Sequence, residues 1–469
     1  MSPKSFLAGV SRDGLLRRVE ALRLAEAARG VRRQENSPSG SRATDFTTLP
    51  GYDEFLLHRA IADKVGVTNP FFRLHEARAG VQTRIGGRAL LNFSSYDYLG
   101  LNGHPEVIAA SKAAIDQYGI SASASRCVAG ERPIHLKLEK GLAEHYGVEA
   151  SVVFVSGYST NVGVIGQLVG PKDLLVLDSV VHNSAVMGAV LSGANRRTFP
   201  HNDLGALDEL LAQSRGKYER VLIVVEGLYS MDGDYPDLPR LIEIKKRHDA
   251  WLMVDEAHAL GVLGKNGRGI AEHFGVDGRD VDIWMGTLSK TLAACGGFIA
   301  GSGEMVDYVK CLVGSFVYSA AMPPVIAAAA DKALEIMHRE PERVRQLQHN
   351  AEFFGRLAKE RGLNTGAGNL TAVAPIIVGD SLPAALLSDR LFQRGVNVMP
   401  VLYPAVPAKS SRLRFFLTSA HSEDDIRAAI DATVEELQNV KRRMGELRLP
   451  SAVSDAGRAA GGSAAPGSN

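Results

Sequence analysis

The chain has 469 residues, of which 45% are hydrophobic and 22% are charged, as in an ordinary globular protein long enough for more than one domain. The formal net charge is +1, and basic and acidic residues are interspersed, which argues against nucleic acid as a partner. The three cysteines show no CxxC or metal spacing, so we expect no disulfide framework or metal site and a reducing, cytoplasmic setting.

The two ends of the chain are predicted to lie outside the main body. Residues 1–48 read as an appendage, with a short amphipathic helix over 14–27 and a Ser-rich linker after it. That helix could pack on its own protein or dock a partner such as a carrier protein. Residues 449–469 contain few large apolar side chains and are predicted to be disordered. No apolar run is long enough to form a transmembrane segment, and the first residues lack the apolar core of a signal peptide.

Between these ends, apolar runs alternate with helical segments. We expect an N-terminal segment at 49–105 that leads into the core, a large domain at 106–325 and a smaller C-terminal α/β domain at 326–448. Strands of the large domain are predicted in SVVFVSGY, DLLVLDS, RVLIVVEG, AWLMVDEAH, VDIWMGT and GGFIAGS. Such uninterrupted apolar runs are typical of strands buried on both faces, which indicates a mostly parallel central sheet. Ligands of such sheets bind at the carboxyl ends of the strands.

An ionisable side chain lies at or shortly after the end of two of these strands. Asp255 ends an apolar strand, where a carboxylate needs a cationic partner such as a protonated pyridine nitrogen. A helix N-cap or a metal-binding Asp remains an alternative. Lys290 follows another strand, and a desolvated lysine has a lowered pKa and is a usable nucleophile. A solvated surface lysine is the alternative there.

A phosphate cradle is predicted beside them. Gly157 and Tyr158 begin a helix directly after a strand, and the free N–H groups of helix N-termini bind phosphate. Thr287 and Ser289 flank the same region and can donate to a phosphate. The motifs GxGxxG and GxxxxGK[ST] are both absent from the expected places, which argues against nicotinamide and P-loop sites.

Taken together, these motifs resemble the α-oxoamine synthase family of fold-type-I pyridoxal-phosphate (PLP) enzymes, with its aspartate aminotransferase-like fold. The resemblance spans roughly residues 68–445 and keeps the family's order. Its motifs are NFSSYDYLGL, SRCVAGERPIHLKLEKGLAEHYG, FVSGYSTNVG, DSVVHNS, EGLYSMDGD, VDEAHALGVLGKNGRG, GTLSKTLAACGG, YSAAMPP and YPAVPAKSSRLRFFLTSAH. It implies a PLP-dependent C-acyltransferase that condenses a small amino acid with an acyl thioester, releasing CO2 and a free thiol and forming an α-amino ketone.

The resemblance also implies residue roles. Lys290 would hold the cofactor as a Schiff base, Asp255 would pair with the pyridine nitrogen, and His182 would stack on the ring. The other cofactor contacts would come from His258 and Ser230 at the phenolic oxygen and from Gly157, Tyr158 and Thr287 at the phosphate. Ser319 would reach the phosphate of the partner subunit, which implies a homodimer with shared active sites.

Two substrate contacts follow from the same resemblance. Arg414 would grip the carboxylate of the amino acid, as a bidentate guanidinium can. Tyr96 would be the second substrate contact. Many members have Asn at this position, and a Tyr here resembles serine palmitoyltransferase. Many members also have Arg-Pro-Pro where this chain has Leu402-Tyr403-Pro404, so a second carboxylate-binding arginine is not implied.

Several alternatives stay open. The amino acid could be serine, alanine or glycine, and the acyl donor could be acyl-CoA or an acyl-carrier protein, as in polyketide-associated members with similar VLYPAVPAK motifs. Other candidates are a CoA-dependent 8-amino-7-oxononanoate synthase, a 2-amino-3-ketobutyrate CoA ligase and a class I/II aminotransferase. A catalytically silent partner subunit would lack the lysine, and Lys290 is present.

Overall fold

The computed structural model describes residues 44–52, 56 and 68–446. The predicted helix at 14–27, most of its linker and the tail at 449–469 lie outside these residues. Residues Asn69–Val434 form one compact unit, and the other described residues belong to a second unit. The boundary predicted at 325/326 stays a prediction. No helix in the described part of the chain has the length and apolar character that a membrane crossing needs.

A seven-stranded sheet forms the centre of the compact unit. Its strands are β3 (Ala150–Phe154), β4 (Leu174–Asp178), β5 (Asn195–Phe199), β6 (Val221–Glu226), β7 (Trp251–Asp255), β8 (Ile283–Thr287) and β9 (Gly297–Gly301). The spatial order is β3-β9-β8-β7-β6-β4-β5. Strands β8, β7, β6, β4 and β5 pair in parallel, and β9 lies antiparallel between β3 and β8. The prediction of a mostly parallel sheet is therefore confirmed.

Strand β5 was not among the predicted strands. Its sequence, NRRTF, exposes four of five residues at the edge of the sheet. A strand with one neighbour and polar side chains produces no apolar run, so a search for such runs does not find it.

Helices connect the strands and cover the sheet. The helices of this region are α1 (Pro105–Tyr118), α2 (Pro133–Tyr146), α3 (Gly157–Leu168), α4 (Asn183–Ser192), α5 (Leu204–Ser214), α6 (Leu238–Arg247), α7 (Ile270–Phe274), α8 (Gly303–Leu312) and α9 (Gly314–Val317). Helices α3, α4 and α8 share one buried apolar cluster with β3, β4, β6, β7, β8 and β9. Burial of this apolar surface holds the strand ends in a fixed frame.

Two small sheets complete the unit. One joins β1 (Gln82–Ile85), β2 (Arg88–Asn92) and β11 (Val396–Asn397), and the other has the order β10 (Val373–Gly379), β13 (Ser411–Phe416), β12 (Met399–Val401). The remaining helices are α10 (Pro324–Arg339), α11 (Glu342–Glu360), α12 (Ser381–Gln393) and α13 (Glu423–Glu446). In the second sheet Arg414 lies on the central strand, opposite Pro375 and Met399.

The parallel arrangement brings several segments to one edge of the large sheet. Asp255 and Glu226 are the last residues of neighbouring strands and are register partners. Thr287 ends β8, and α3 and α4 begin just after β3 and β4. The carboxyl ends of the strands therefore frame the site, as expected for this class of sheet.

Candidate active site

A cavity of about 310 Å³ lies at this edge of the sheet. Ten of the predicted residues line it: Tyr96, Gly157, Tyr158, His182, Asp255, His258, Thr287, Ser289, Lys290 and Arg414. The other lining residues are Ser156, Asn161, Ser184, Glu226, Ala257, Met285, Cys295 and Phe416. Two predicted residues, Ser230 and Ser319, are not among them.

Lys290 provides the amine of the cavity. Burial lowers the pKa of Lys290 to about 8, although Asp255 and Glu226 act in the opposite direction. Its Nζ lies 5.7 Å from the centre of the Tyr96 ring. A lysine with this pKa has a substantial neutral fraction near neutral pH, as a nucleophile or general base needs.

Asp255 provides the carboxylate at the end of β7. Its Oδ2 accepts a hydrogen bond from Asn161 Nδ2 at 2.8 Å, and its Oδ1 accepts one from the backbone N–H of Ala257 at 2.9 Å. These two bonds hold the carboxylate in one orientation at the cavity wall. Its oxygens can still accept a hydrogen bond from a cationic partner.

A second carboxyl group, Glu226, lies beside it at the end of β6. Its Oε1 accepts the backbone N–H of His182 at 2.6 Å, and its Oε2 accepts that of Ser230 at 3.3 Å. Burial raises the pKa of Glu226, and the neighbouring Asp255 raises it further. Glu226 therefore connects the loops that carry His182 and Ser230.

His182 caps the start of α4. Its Nδ1 lies 2.7 Å from Ser184 Oγ, and its ring makes an edge contact with that of Tyr158. Partial burial lowers the pKa of His182. The imidazole is therefore neutral near neutral pH and lies at the cavity with one nitrogen already bonded.

His258 is fixed on two sides. Its Nδ1 lies 2.7 Å from the hydroxyl oxygen of Tyr98, and its ring is parallel to that of Phe416, with centroids 6.2 Å apart. Burial lowers the pKa of His258 well below its usual range. A neutral imidazole with Nδ1 occupied has Nε2 free for a ligand in the cavity.

The predicted phosphate cradle lies where α3 begins. Ser156 caps this helix by accepting the backbone N–H of Ser159. A Cβ placed on Gly157 would lie 3.0 Å from Thr287 Oγ1, so glycine leaves room for a ligand beside the helix N-terminus. The hydroxyl of Thr287 lies 2.8 Å from the carbonyl oxygen of Gly296, and Ser289 donates its backbone N–H to Thr287 Oγ1 at 3.2 Å.

Arg414 provides the second cation of the cavity. Its guanidinium lies 4.8 Å from the centre of the Phe416 ring and donates to the backbone oxygen of Ser230 at 2.9 Å. Burial lowers the pKa of Arg414. Among the described residues, Arg414 forms no ion pair with a carboxylate. An arginine desolvated in this way can accept the carboxylate of a ligand.

The two predicted residues outside the cavity have different surroundings. Ser230 contributes its backbone oxygen to Arg414, and its backbone N–H bonds Glu226. The hydroxyl of Ser319 lies 3.1 Å from the carbonyl oxygen of Ala320. Its predicted contact belongs to a partner subunit, so one chain leaves that prediction untested.

Five polar residues at the site were not predicted from the sequence: Tyr98, Ser156, Asn161, Ser184 and Glu226. Glu226 has the same sequence pattern as Asp255, because each is an acidic residue at the end of an apolar run. Asn161 lies one turn inside α3, in FVSGYSTNVG, and Ser184 is the second residue of α4, in VVHNS; both helices begin at the cavity. Both are buried, and a polar residue in the first two turns of a helix that follows an apolar strand is the sequence signal that could have found them.

The chemistry of these residues fits PLP. The cavity combines an amine of lowered pKa, a fixed carboxylate and a helix N-terminus kept open by a glycine. These groups match the aldehyde, the ring nitrogen and the phosphate of the cofactor.

Comparisons with known proteins agree with this fit. Residues 88–432 match the family described as aminotransferase class I and II. The 8-amino-7-oxononanoate synthase of Symbiobacterium thermophilum is 41% identical over 348 residues, which is 74% of this chain and 88% of that protein. The 8-amino-7-oxononanoate synthase 1 of Bacillus subtilis is 37% identical over 366 residues, 77% of this chain and 93% of that protein.

Solved structures show the same relationship. A serine palmitoyltransferase from S. paucimobilis with bound PLP superimposes with a TM-score of 0.81 at 28% identity, covering 85% of this chain and 100% of that chain. The fold-type-I fold and the PLP dependence predicted from the sequence are thereby confirmed. The chain belongs to the aminotransferase class I and II family and, within it, to the α-oxoamine synthases, PLP-dependent C-acyltransferases that condense an amino acid with an acyl thioester.

Proposed function

We propose that this chain condenses serine, alanine or glycine with an acyl thioester, releases CO2 and a free thiol, and forms an α-amino ketone. One observation supports this above the others. A single cavity joins a lysine of lowered pKa to a partly buried arginine that forms no ion pair with a carboxylate among the described residues. The lysine suits proton abstraction, and the arginine suits an amino acid carboxylate.

The cofactor would be held by residues at four points. PLP supplies an electron sink for the charge that develops at the α-carbon of the amino acid. Lys290 would hold its aldehyde carbon, and Asp255 would keep its ring nitrogen protonated. The phosphate would lie against Gly157, Tyr158 and Thr287, while His258 and Ser230 would lie near the phenolic oxygen.

Four side chains would bind the substrates and move the proton. Arg414 would bind the carboxylate of the amino acid, which places the α-hydrogen near Lys290. The Nζ of Lys290, released when the amine of the amino acid takes its place on the aldehyde carbon, would remove that proton, because its lowered pKa gives it a neutral fraction. His182 would donate a hydrogen bond to the thioester carbonyl or to the carboxylate, and Tyr96 would lie beside the substrate at the cavity mouth.

A second candidate is 8-amino-7-oxononanoate synthase. The names of the relatives with 41% and 37% identity favour it, whereas the solved structures with TM-scores near 0.8 are serine palmitoyltransferases. Acyl-CoA and acyl-carrier donors would both suit the proposed reaction. We also propose a cytoplasmic homodimer in which Ser319 reaches the partner's phosphate.

The test is a turnover assay with purified protein and PLP. Each of glycine, L-alanine and L-serine is combined with acyl-CoA and acyl-carrier donors of several chain lengths, and thiol release and CO2 are measured. We expect both products with one amino acid and neither with Lys290→Ala. Release of an oxo acid without thiol would identify an aminotransferase and refute the proposal.

A further inference from the structure

A continuous line of hydrogen bonds joins His182 to Asp255 through two residues that have no assigned role. His182 Nδ1 lies 2.7 Å from Ser184 Oγ, and Ser184 Oγ lies 2.9 Å from Asn161 Nδ2. The same Asn161 Nδ2 lies 2.8 Å from Asp255 Oδ2. Asn161 and Ser184 are both buried, with 1% exposure each, so water does not compete for these bonds.

The direction of each proton follows from the Asp255 end. In the proposed function Asp255 faces a protonated ring nitrogen, so it is a carboxylate and only accepts. The amide nitrogen of Asn161, not its oxygen, must therefore face Asp255. This nitrogen carries two hydrogens, one for Asp255 and one for Ser184.

The hydroxyl of Ser184 transmits this direction to His182. Because Ser184 Oγ accepts from Asn161, its own single proton is free to point to His182 Nδ1. The backbone N–H of Ser184 also points at this nitrogen, at 3.3 Å. With two donors directed at it, Nδ1 must carry the lone pair.

We infer that Asn161 and Ser184 are positioning residues that hold neutral His182 in the Nε2–H tautomer, so that it donates a hydrogen bond to a substrate oxygen. This inference rests on the proposed function and deepens it, because His182 then polarises a carbonyl or holds a carboxylate and cannot act as a base through Nε2. Partial burial, which lowers the pKa of His182, favours the neutral ring that this requires. The bond from the backbone N–H of His182 to Glu226 fixes the residue at the start of α4.

The tautomer of His182 can be measured directly by NMR. Protein labelled with 15N-histidine is studied by NMR with and without PLP, and the signals of His182 are assigned by their loss in His182→Gln. We expect a protonated Nε2 and an unprotonated Nδ1 in the wild type. Ser184→Ala should give a mixture of tautomers and lower kcat/KM about tenfold, the effect of one hydrogen bond.

A matched control lies on the same helix. Ser192 is also buried, and its hydroxyl bonds the backbone oxygen of Ala189. Ser192→Ala should leave the His182 tautomer and kcat/KM unchanged. An effect of Ser192→Ala equal to that of Ser184→Ala would show general loosening of the helix and overturn the inference.

Substitution of His182 itself gives a second test. The amide nitrogen of glutamine lies where Nε2 lies in histidine, and that of asparagine lies where Nδ1 lies. His182→Gln should therefore keep about tenfold more kcat/KM than His182→Asn. Wild-type His182 protonated at Nδ1, in an enzyme that still releases thiol, would overturn the inference and leave the proposed function standing. Failure of thiol release with every substrate pair would overturn the proposed function instead.

Discussion

The hydroxyl oxygen of Tyr98 lies 2.7 Å from Nδ1 of His258, although the two residues are 160 positions apart. Tyr98 is fully buried, and burial raises the pKa of its phenol, which therefore stays protonated. This contact ties the segment after β2 to the loop after β7. It leaves Nε2 as the nitrogen of His258 that can contact a cofactor.

Tyr98→Phe should weaken PLP binding about tenfold, because His258 loses the partner that orients its ring. The dissociation constant of PLP, measured by absorbance titration, checks this. Tyr146→Phe is the matched control, since Tyr146 is also buried but does not line the cavity. Equal affinities of Tyr98→Phe and the wild type would show that the contact does not orient His258.

Arg414→Ala should raise KM for the amino acid about 30- to 100-fold, because a charge-assisted pair with the carboxylate is lost. Arg414→Lys should recover part of this loss, since it keeps the charge but not the fork. Arg361→Ala, at an exposed arginine paired with Asp431, should leave KM unchanged. Steady-state kinetics with varied amino acid make the comparison. An unchanged KM for Arg414→Ala would remove this residue from the substrate site.

Glu256 predicts a particular dependence of stability on pH. It is fully buried, and burial raises its pKa to about 8. A carboxyl whose folded pKa is raised contributes stability that is complete below its unfolded pKa of about 4.3 and is lost as pH rises through 8. The neutral side chain of Glu256→Gln should remove this part of the loss.

Denaturant unfolding at pH 6 and pH 9 measures the difference. From pH 6 to pH 9 the wild type should lose about 2 kcal/mol more stability than Glu256→Gln. Glu243→Gln, at an exposed glutamate of α6, should behave as the wild type. Identical losses in the wild type and Glu256→Gln would mean that Glu256 does not bind its proton more tightly in the folded protein.

Gly157→Ala should weaken PLP binding about tenfold, because the added Cβ lies 3.0 Å from Thr287 Oγ1 and crowds the start of α3. Gly170→Ala is the matched control, since a Cβ there has no neighbour within 4 Å. Binding of inorganic phosphate, measured by its competition with PLP, should fall in parallel for Gly157→Ala alone. Unaltered phosphate competition would place the phosphate elsewhere.

Most of the large sheet could be predicted from the sequence, because strands buried on both faces leave continuous apolar runs. β7 and β8 are such strands, and the ionisable residues that follow them, Asp255 and Lys290, do line one cavity. Gly157 was predicted in the same way, from its place after β3.

Other features depend on distant contacts and leave no local signal. The polar edge strand β5 lacks an apolar run. Tyr98 meets His258 only through the tertiary fold, and Asn161 reaches Asp255 across 94 positions. The backbone oxygen of Ser230 accepts a hydrogen bond from Arg414, 184 positions away, and no local pattern indicates this contact. The expected contact of Ser230 with the phenolic oxygen stays a prediction.

The most direct test of the proposed chemistry is the visible absorption of the purified protein during separate titrations with glycine, L-alanine and L-serine. We expect a visible band from PLP bound covalently at Lys290, a shift of that band with one amino acid, and thiol release when an acyl thioester is then added. Lys290→Ala should lack the wild-type band. A wild-type protein with no visible band after addition of PLP would show that Lys290 does not hold the cofactor and would contradict the proposed site.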